Sequence, residues 1–255
     1  MRACLFRCGA LILVVGLLVA CAQRGNPAQP IRTALVPAPQ QAGRLVVVLP
    51  GRADDLAALQ RSGMAAAIQG VWPDADVLFA ELGLAYYRDG SAATRLHDEV
   101  IVPARHRGYR EVWLSGASLG GMGALLYDRA YPGDADGLVL LAPYLGDREI
   151  LREITDAGGI TRWKPGPPRA IDADNWQHEL WRHLQTWAHD PGRARNVWLA
   201  YGDRDRLRHA MPVLEPLLRP EQVLVRPGGH TWPLWSSAMR EVLTAAPADT
   251  RLHGR

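Results

Sequence analysis

The sequence predicts an α/β fold: a mostly parallel central sheet of about six or more strands with helices on both faces. Short apolar runs of strand length alternate with longer stretches of helical periodicity from about residue 44 to residue 244. The run at residues 45–49 is apolar throughout, as expected for a parallel strand covered on both faces. With 255 residues, 48% of them apolar, the chain suits one such domain and is short for two.

The predicted elements follow one another along the chain in strand–helix order. Strands are predicted at residues 45–49, 76–80, 111–114, 137–141, 196–201 and 222–225, with a short edge strand near 31–36. Helices are predicted at residues 53–68, 91–107, 119–131, within 211–218 and at 235–244. Ser91 is of a type that caps helices, and the helix at 119–131 should stop before Pro132 because a residue preceding proline disfavours helical backbone.

Residues 145–193 interrupt this alternation, since they contain no convincing strand. The segment carries four tryptophans and a predicted helix at 175–188. An insertion of this length between two core strands is typical of a cap or lid. The alternative is a pair of helices that pack on the sheet without contacting substrate, and the sequence favours neither.

The first 20 residues read as a signal peptide. Arg2 and Arg7 precede an apolar run at residues 9–20, which is too short for a comfortable membrane span. The run ends in Leu18–Cys21, which resembles a bacterial lipobox whose cysteine is lipidated. The alternative is an ordinary cleaved signal peptide with a chance cysteine.

The predicted organisation is therefore a signal peptide at 1–20, lipidated Cys21 with a flexible Pro-rich tether to residue 43, and one domain at 44–255. The resemblance implies a bacterial envelope protein anchored in the membrane, and Ala22 after the cysteine favours the periplasmic side of the outer membrane.

Processing at Cys21 changes what composition implies. The mature chain keeps one cysteine, so no intramolecular disulfide is possible. Losing Arg2 and Arg7 lowers Lys plus Arg from 29 to 27 against 26 acidic residues. The sequence pI near 8.9 therefore does not indicate nucleic-acid binding.

The strongest motif is Gly-Ala-Ser-Leu-Gly at residues 116–120, which fits Gly-x-Ser-x-Gly. It lies between a predicted strand and a predicted helix, the context that such a motif requires. A serine on so sharp a turn needs very small neighbours two residues before and after it. Ser118 is therefore the predicted nucleophile, with the following helix N-terminus facing developing negative charge.

A serine hydroxyl needs a base, and the base needs a carboxylate to orient it. His230 is the predicted base because it lies between the last strand and the last helix. Asp205, after the preceding strand, is the predicted acid, with Asp203 as the near rival and Asp147 as a remoter alternative. His178 and His183 miss the zinc spacing His-Glu-x-x-His by one residue, so we expect no metal and no cofactor.

The order Ser118, Asp205, His230 is that of α/β-hydrolases, and the chain resembles this superfamily from about residue 44 to residue 244. The stretch at 228–235, Gly-Gly-His-x-Trp-x-x-Trp, is similar to the histidine loop of the esterase D and mycolyltransferase branch.

An oxyanion hole needs two backbone N–H donors. Leu119, which follows the nucleophile, should supply one. By resemblance the other comes from the loop after the first core strand, as the N–H of Arg52. The family often has His-Gly here, and Pro50-Gly51 departs in the first residue. The Arg52 side chain has a simpler alternative role as an ion-pair partner of Asp54 or Asp55.

We expect a serine hydrolase that cleaves small-molecule or lipidic carboxylic esters at the cell envelope. A thioesterase, amidase or acyltransferase would use the same residues. A non-catalytic lipoprotein that uses the fold as a binding module is the alternative of another class.

Overall fold

The structure, a computed structural model, describes residues 26–246. The predicted signal peptide, Cys21 and residues 247–255 lie outside the described residues. A seven-stranded sheet forms the centre, in the order β1-β3-β2-β4-β5-β6-β7. Its strands are β1 Thr33–Val36, β2 Arg44–Leu49, β3 Ala75–Ala80, β4 Glu111–Ala117, β5 Gly137–Leu141, β6 Val197–Gly202 and β7 Val223–Arg226. Only the edge strand β1 is antiparallel to its neighbour.

Helices cover both faces of the sheet, which confirms the predicted fold class. They are α1 Leu56–Arg61, α2 Met64–Gln69, α3 Leu84–Arg88, α4 Ala92–Leu96, α5 Val102–His106, α6 Leu119–Ala130, α7 Arg148–Asp156, α8 Trp176–His189, α9 Met211–Leu214 and α10 Trp232–Ala245. α1, α2 and α10 bury their apolar side chains on one face, and α4 to α9 bury theirs on the other.

Two predicted helices differ from those observed. The helix expected at 53–68 is two helices, because Gly63 adopts a left-handed backbone with φ of 78° between them. The helix expected at 91–107 is a continuous run in which a π-helical turn, His97–Ile101, joins α4 to α5. Ser91 does not cap it, since its hydroxyl donates to the Asp89 carboxylate at 2.6 Å.

The segment predicted as a tether contacts the domain before β1 begins. The Glu99 carboxylate accepts the Ile31 N–H at 2.7 Å, and Arg95 donates to the carbonyls of Pro27 and Gln29. Burial alone would raise the pKa of Glu99, but the hydrogen bonds from Arg95 and Ile31 lower it below its ordinary value. The chain is therefore held to the domain from Pro27 onward.

The insertion at 145–193 contains α7 and α8 and no strand, as predicted. Trp181 and Trp187 of α8 are buried in the core, and the Trp181 indole donates to the Leu145 carbonyl at 2.8 Å. α8 also contacts the helix that follows the predicted nucleophile, through an ion pair between Arg129 and Glu179 at 3.4 Å. The insertion thus packs firmly on the domain.

Between residues 26 and 246, no helix is both long enough and apolar enough to cross a membrane.

Candidate active site

Ser118 lies at the junction between β4 and α6. Its φ of 55° and ψ of −110° are far from those of an ordinary L-residue, as expected for a strained turn. The backbone around it is pinned by two hydrogen bonds: Ser118 N–H donates to the Leu141 carbonyl and Tyr144 N–H to the Ser118 carbonyl, both at 2.9 Å. The end of β5 and the loop after it therefore hold the turn in place.

The two glycines of the motif are required by close backbone approach. A Cβ on Gly116 would lie 2.1 Å from the Gly120 carbonyl group, and a Cβ on Gly120 would lie 2.6 Å from the Leu49 carbonyl oxygen. Both distances are far inside van der Waals contact, and the atoms met are backbone atoms that have no rotamer to change. Any side chain at either position would push α6 away from the sheet and misplace Ser118.

His230 and Asp205 are brought together from the loops after β7 and β6. The His230 Nδ1 atom lies 2.9 Å from both carboxylate oxygens of Asp205, which is fully buried. Asp205 is itself oriented by the Leu207 N–H, which donates to Oδ1 at 2.8 Å. The opposite ring nitrogen of His230, Nε2, has no hydrogen-bond partner in the part of the chain that the structure describes.

The rival carboxylates are engaged elsewhere. Asp203 Oδ1 accepts the Gly228 N–H at 2.9 Å and so closes the loop that carries His230, while its side chain remains half exposed. Asp147 accepts the Tyr144 hydroxyl at 2.5 Å and the Gln177 amide at 3.0 Å. Neither contacts His230, so the geometry favours Asp205 as its partner.

Two tryptophans of α10 support the histidine loop. The Trp235 ring packs edge-on against the His230 ring at 4.7 Å between centroids, and Trp232 packs at right angles on Trp235 at 5.2 Å. The Trp232 indole donates to Asp54 Oδ2 at 3.1 Å, and the Gly51 N–H donates to the same oxygen at 3.0 Å. This carboxylate therefore ties the histidine loop to the loop after β2.

Ser118 and His230 line one cavity of about 660 Å³ at the carboxyl edge of the sheet. Arg52 and Leu119, the two predicted oxyanion donors, line the same cavity. The alternative ion pair of Arg52 does not form, because Asp54 binds Gly51 and Trp232 while Asp55 caps α1 through the Ala58 N–H. A larger cavity of about 860 Å³ lies at the opposite edge, and the described residues that line it include no serine, cysteine or histidine.

Another cavity, of about 490 Å³ and more apolar, adjoins the cavity that holds Ser118. Four residues border both cavities: Leu84, Arg88, Leu119 and Tyr144. Its walls include Met122 and Leu126 of α6 and Ile171 and Trp176 of the insertion. α8 therefore packs on the domain, and its N-terminal end forms a wall of the cavity beside the candidate site.

Tyr87 also lines the apolar cavity. Its hydroxyl is buried without a partner among the described residues, and burial raises its pKa well above the ordinary value. A Cβ on Gly123 would lie 2.0 Å from this hydroxyl oxygen, so Gly123, in the second turn of α6, makes room for Tyr87.

The histidines of the insertion form no metal site. His178 Nε2 lies 3.0 Å from Glu153, and His183 Nε2 lies 2.7 Å from Asp128 on α6. Across the described chain, no group of three or more His, Cys, Asp or Glu is placed to hold a metal ion.

Several residues of the site were not predicted from sequence. Tyr144, Arg88 and Arg206 line the cavity from a loop, a short helix end and another loop. None lies in a motif or a periodic run, and only the position of each just beyond a predicted strand or at a helix end could have pointed to it.

A parallel sheet of this order, with the serine turn after β4 and the Asp205 and His230 loops after β6 and β7, is the α/β-hydrolase fold. No family model and no curated protein sequence matches the chain. Solved structures do. Est1E from Butyrivibrio proteoclasticus is 15% identical, with 84% of this chain and 93% of that chain covered at a TM-score of 0.57. FphF, a fluorophosphonate-binding serine hydrolase of Staphylococcus aureus, is 13% identical, with coverages of 85% and 98% and a TM-score of 0.59.

A monoacylglycerol lipase from Paleococcus ferrophilus is 14% identical, with coverages of 86% and 100% and a TM-score of 0.52. These likenesses establish the fold of this chain.

Proposed function

We propose that the protein is a serine hydrolase that cleaves carboxylic esters at the bacterial cell envelope, with Ser118, His230 and Asp205 as its catalytic residues. One observation carries the proposal. His230 is held through Nδ1 by a buried carboxylate, while its Nε2 is unpartnered among the described residues and shares a cavity with a strained serine.

Each residue has a distinct role in the proposed reaction. The Ser118 oxygen attacks the ester carbonyl carbon, and His230 Nε2 takes the hydroxyl proton. The Asp205 carboxylate keeps the remaining ring proton on Nδ1 and stabilises the imidazolium that forms. His230 then protonates the departing alcohol, which leaves the acyl group on Ser118. In the second half of the reaction His230 takes a proton from water, the water oxygen attacks the acyl carbon, and His230 returns the proton to Ser118 as the carboxylic acid leaves.

The negative charge on the carbonyl oxygen needs backbone donors. We assign this role to the N–H groups of Leu119 and Arg52, two residues that line the cavity together with Ser118. The Asp54 contacts to Gly51 and Trp232 hold the Arg52 loop against the histidine loop, so donor and base keep their relative positions.

The monoacylglycerol lipase among the similar structures supports an ester as substrate, and so does the apolar cavity, which suits an acyl or alcohol chain. Location at the envelope is supported by the lipobox-like sequence before Cys21.

Labelling with a fluorophosphonate probe tests the proposal directly. The wild type should be labelled at Ser118 and should release 4-nitrophenol from 4-nitrophenyl butyrate. Ser118→Ala should lose labelling and lower kcat by roughly 10⁶-fold, the loss typical of removing such a nucleophile.

Ser115→Ala is a matched control, because Ser115 lies in β4, the strand that ends just before Ser118, and its buried hydroxyl has no partner in the described chain. It should keep both labelling and turnover. Full turnover by a folded Ser118→Ala variant would contradict the assignment.

A further inference from the structure

Three arginines from separate parts of the chain converge on the cavity that holds Ser118. Arg52 follows β2, Arg88 ends α3 and Arg206 follows β6, and all three are exposed residues that line this cavity. None of them forms an ion pair within residues 26–246. The whole chain is nearly balanced, with 29 basic and 26 acidic residues, so general basicity does not explain the concentration of positive charge here.

Among the described residues that line the cavity, arginines outnumber carboxylates three to one. Asp54 is the single carboxylate among the described residues that line the cavity, and it already accepts two hydrogen bonds, from Gly51 and Trp232. Asp205 is fully buried against His230 and does not line the cavity. The lining thus carries a net positive charge.

The position of Arg52 is also marked by its effect on Tyr144. Burial and the hydrogen bond to Asp147 raise the pKa of Tyr144, and the positive charge of Arg52 opposes this rise. Arg52 and Tyr144 line the same cavity. Arg88 borders the apolar cavity as well, so it stands where the two cavities meet.

We propose that the ester cleaved at Ser118 carries an anionic group, a carboxylate or a phosphate, that Arg52, Arg88 and Arg206 bind at the mouth of the catalytic cavity. This inference rests on the proposed function. Guanidinium groups match the planar and bidentate geometry of carboxylate and phosphate oxygens. A cleft of one charge sign also raises the local concentration of oppositely charged substrate and its association rate.

Paired esters test the inference. Each anionic ester is compared with its neutral methylated form. The anionic members are 4-acetoxybenzoate, with a carboxylate in the alcohol part, 4-acetoxyphenyl phosphate, and mono-4-nitrophenyl glutarate, with a carboxylate in the acyl part; the two carboxylates are compared with their methyl esters and the phosphate with its dimethyl ester. The measured quantity is kcat/KM of the anionic member divided by that of the neutral member.

The wild type should prefer at least one anionic member by on the order of tenfold at low salt, as expected for charge-assisted hydrogen bonds in a partly exposed cleft. The preference should fall at 0.5 M NaCl, because salt screens exposed charges. The double variant Arg88→Gln, Arg206→Gln should bring the ratio close to one. The variant Arg88→Lys, which keeps the positive charge, should retain part of the preference for the anionic ester. Arg240→Gln, an exposed arginine of α10 that does not line either cavity, should leave the ratio unchanged.

The pair that shows the preference identifies the anion and the side of the ester that bears it. A wild type that hydrolyses every pair equally, or a ratio that survives in the double variant, would overturn the inference while leaving the hydrolase assignment intact. If Ser118 reacts with neither the neutral esters nor the fluorophosphonate, the proposed function is wrong, and this inference fails with it.

Discussion

At the scale of single residues, His230 is constrained on one side only. Asp205 and the Trp235 ring fix its orientation, while Nε2 is left free of protein partners in the described chain. A buried polar nitrogen without a partner costs stability, on the order of 1–3 kcal/mol. Such a cost is expected at a functional site, where the missing partner is supplied by the reacting group.

The two aspartates of the loop after β6 should differ in how much their replacement by asparagine lowers kcat. Asp205→Asn should lower kcat by on the order of 10⁴, because an amide cannot fix the tautomer that leaves Nε2 free to accept a proton. Asp203→Asn is the matched control, since its amide oxygen can still accept the Gly228 N–H. It should keep kcat within about twofold, as expected for a surface substitution.

Steady-state kinetics and circular dichroism on both variants check this prediction. A steep loss of kcat in Asp203→Asn together with an active Asp205→Asn would transfer the role to Asp203. Activity in both would direct attention to Asp147, the remaining candidate.

At the scale of elements, the insertion contributes a wall to the apolar cavity through Ile171 and Trp176, opposite Met122 and Leu126 of α6. We therefore expect the length of the substrate chain to be limited by these elements. Under the proposed function, the sheet positions the reacting groups, and the packing of α8 against α6 sets the space left for the rest of the substrate.

Leu126→Trp should shorten the preferred chain. The larger ring occupies space in the apolar cavity, and displacing two methylene groups costs about 1.6 kcal/mol, or roughly tenfold in kcat/KM. The ratio of kcat/KM for 4-nitrophenyl octanoate over acetate should fall by that amount.

The matched control is Leu35→Trp, the same change on the edge strand, where the side chain is 46% exposed. It should leave the ratio of octanoate to acetate turnover as in the wild type. An unchanged ratio in Leu126→Trp would mean that the chain of the substrate binds elsewhere.

At the scale of the whole molecule, the sequence alone predicted the fold and the edge of the sheet at which the candidate catalytic residues lie. Ser118, Asp205 and His230 each follow a predicted strand, and in a parallel sheet the carboxyl ends of all strands share one edge. Apolar runs and a Gly-rich turn are local signals, so both can be read without coordinates.

Other features of the structure could not be predicted from local sequence patterns. The break at Gly63 depends on a left-handed backbone, and Ser91 failed as a cap because the Asp89 carboxylate took its hydroxyl. Arg88 and Arg206 are far apart in sequence and meet only across the cavity. Exposed residues on loops and at helix ends carry no periodic signal, so their convergence can be seen only in the three-dimensional structure.

The proposed lipid anchor makes a prediction for the whole protein. Wild-type protein expressed in a Gram-negative host should partition into the detergent phase after Triton X-114 separation. Cys21→Ser should move it to the aqueous phase, because one cysteine carries every acyl chain. Cys8→Ser, inside the predicted signal peptide, should remain in the detergent phase. Equal aqueous partitioning of wild type and Cys21→Ser would show that the segment is a plain signal peptide.

The contacts of Pro27 and Gln29 with Arg95 bear on this anchor. Since the chain is bound to the domain from Pro27 onward, only the residues between Cys21 and Pro27 are available to span the gap to the lipid. At the length of an extended chain they reach about 20 Å at most. An anchored domain would therefore be confined to a thin layer along the bilayer. Its rate of turnover in the cell would depend on the surface density of ester in that layer, and the bulk concentration of ester would have little influence.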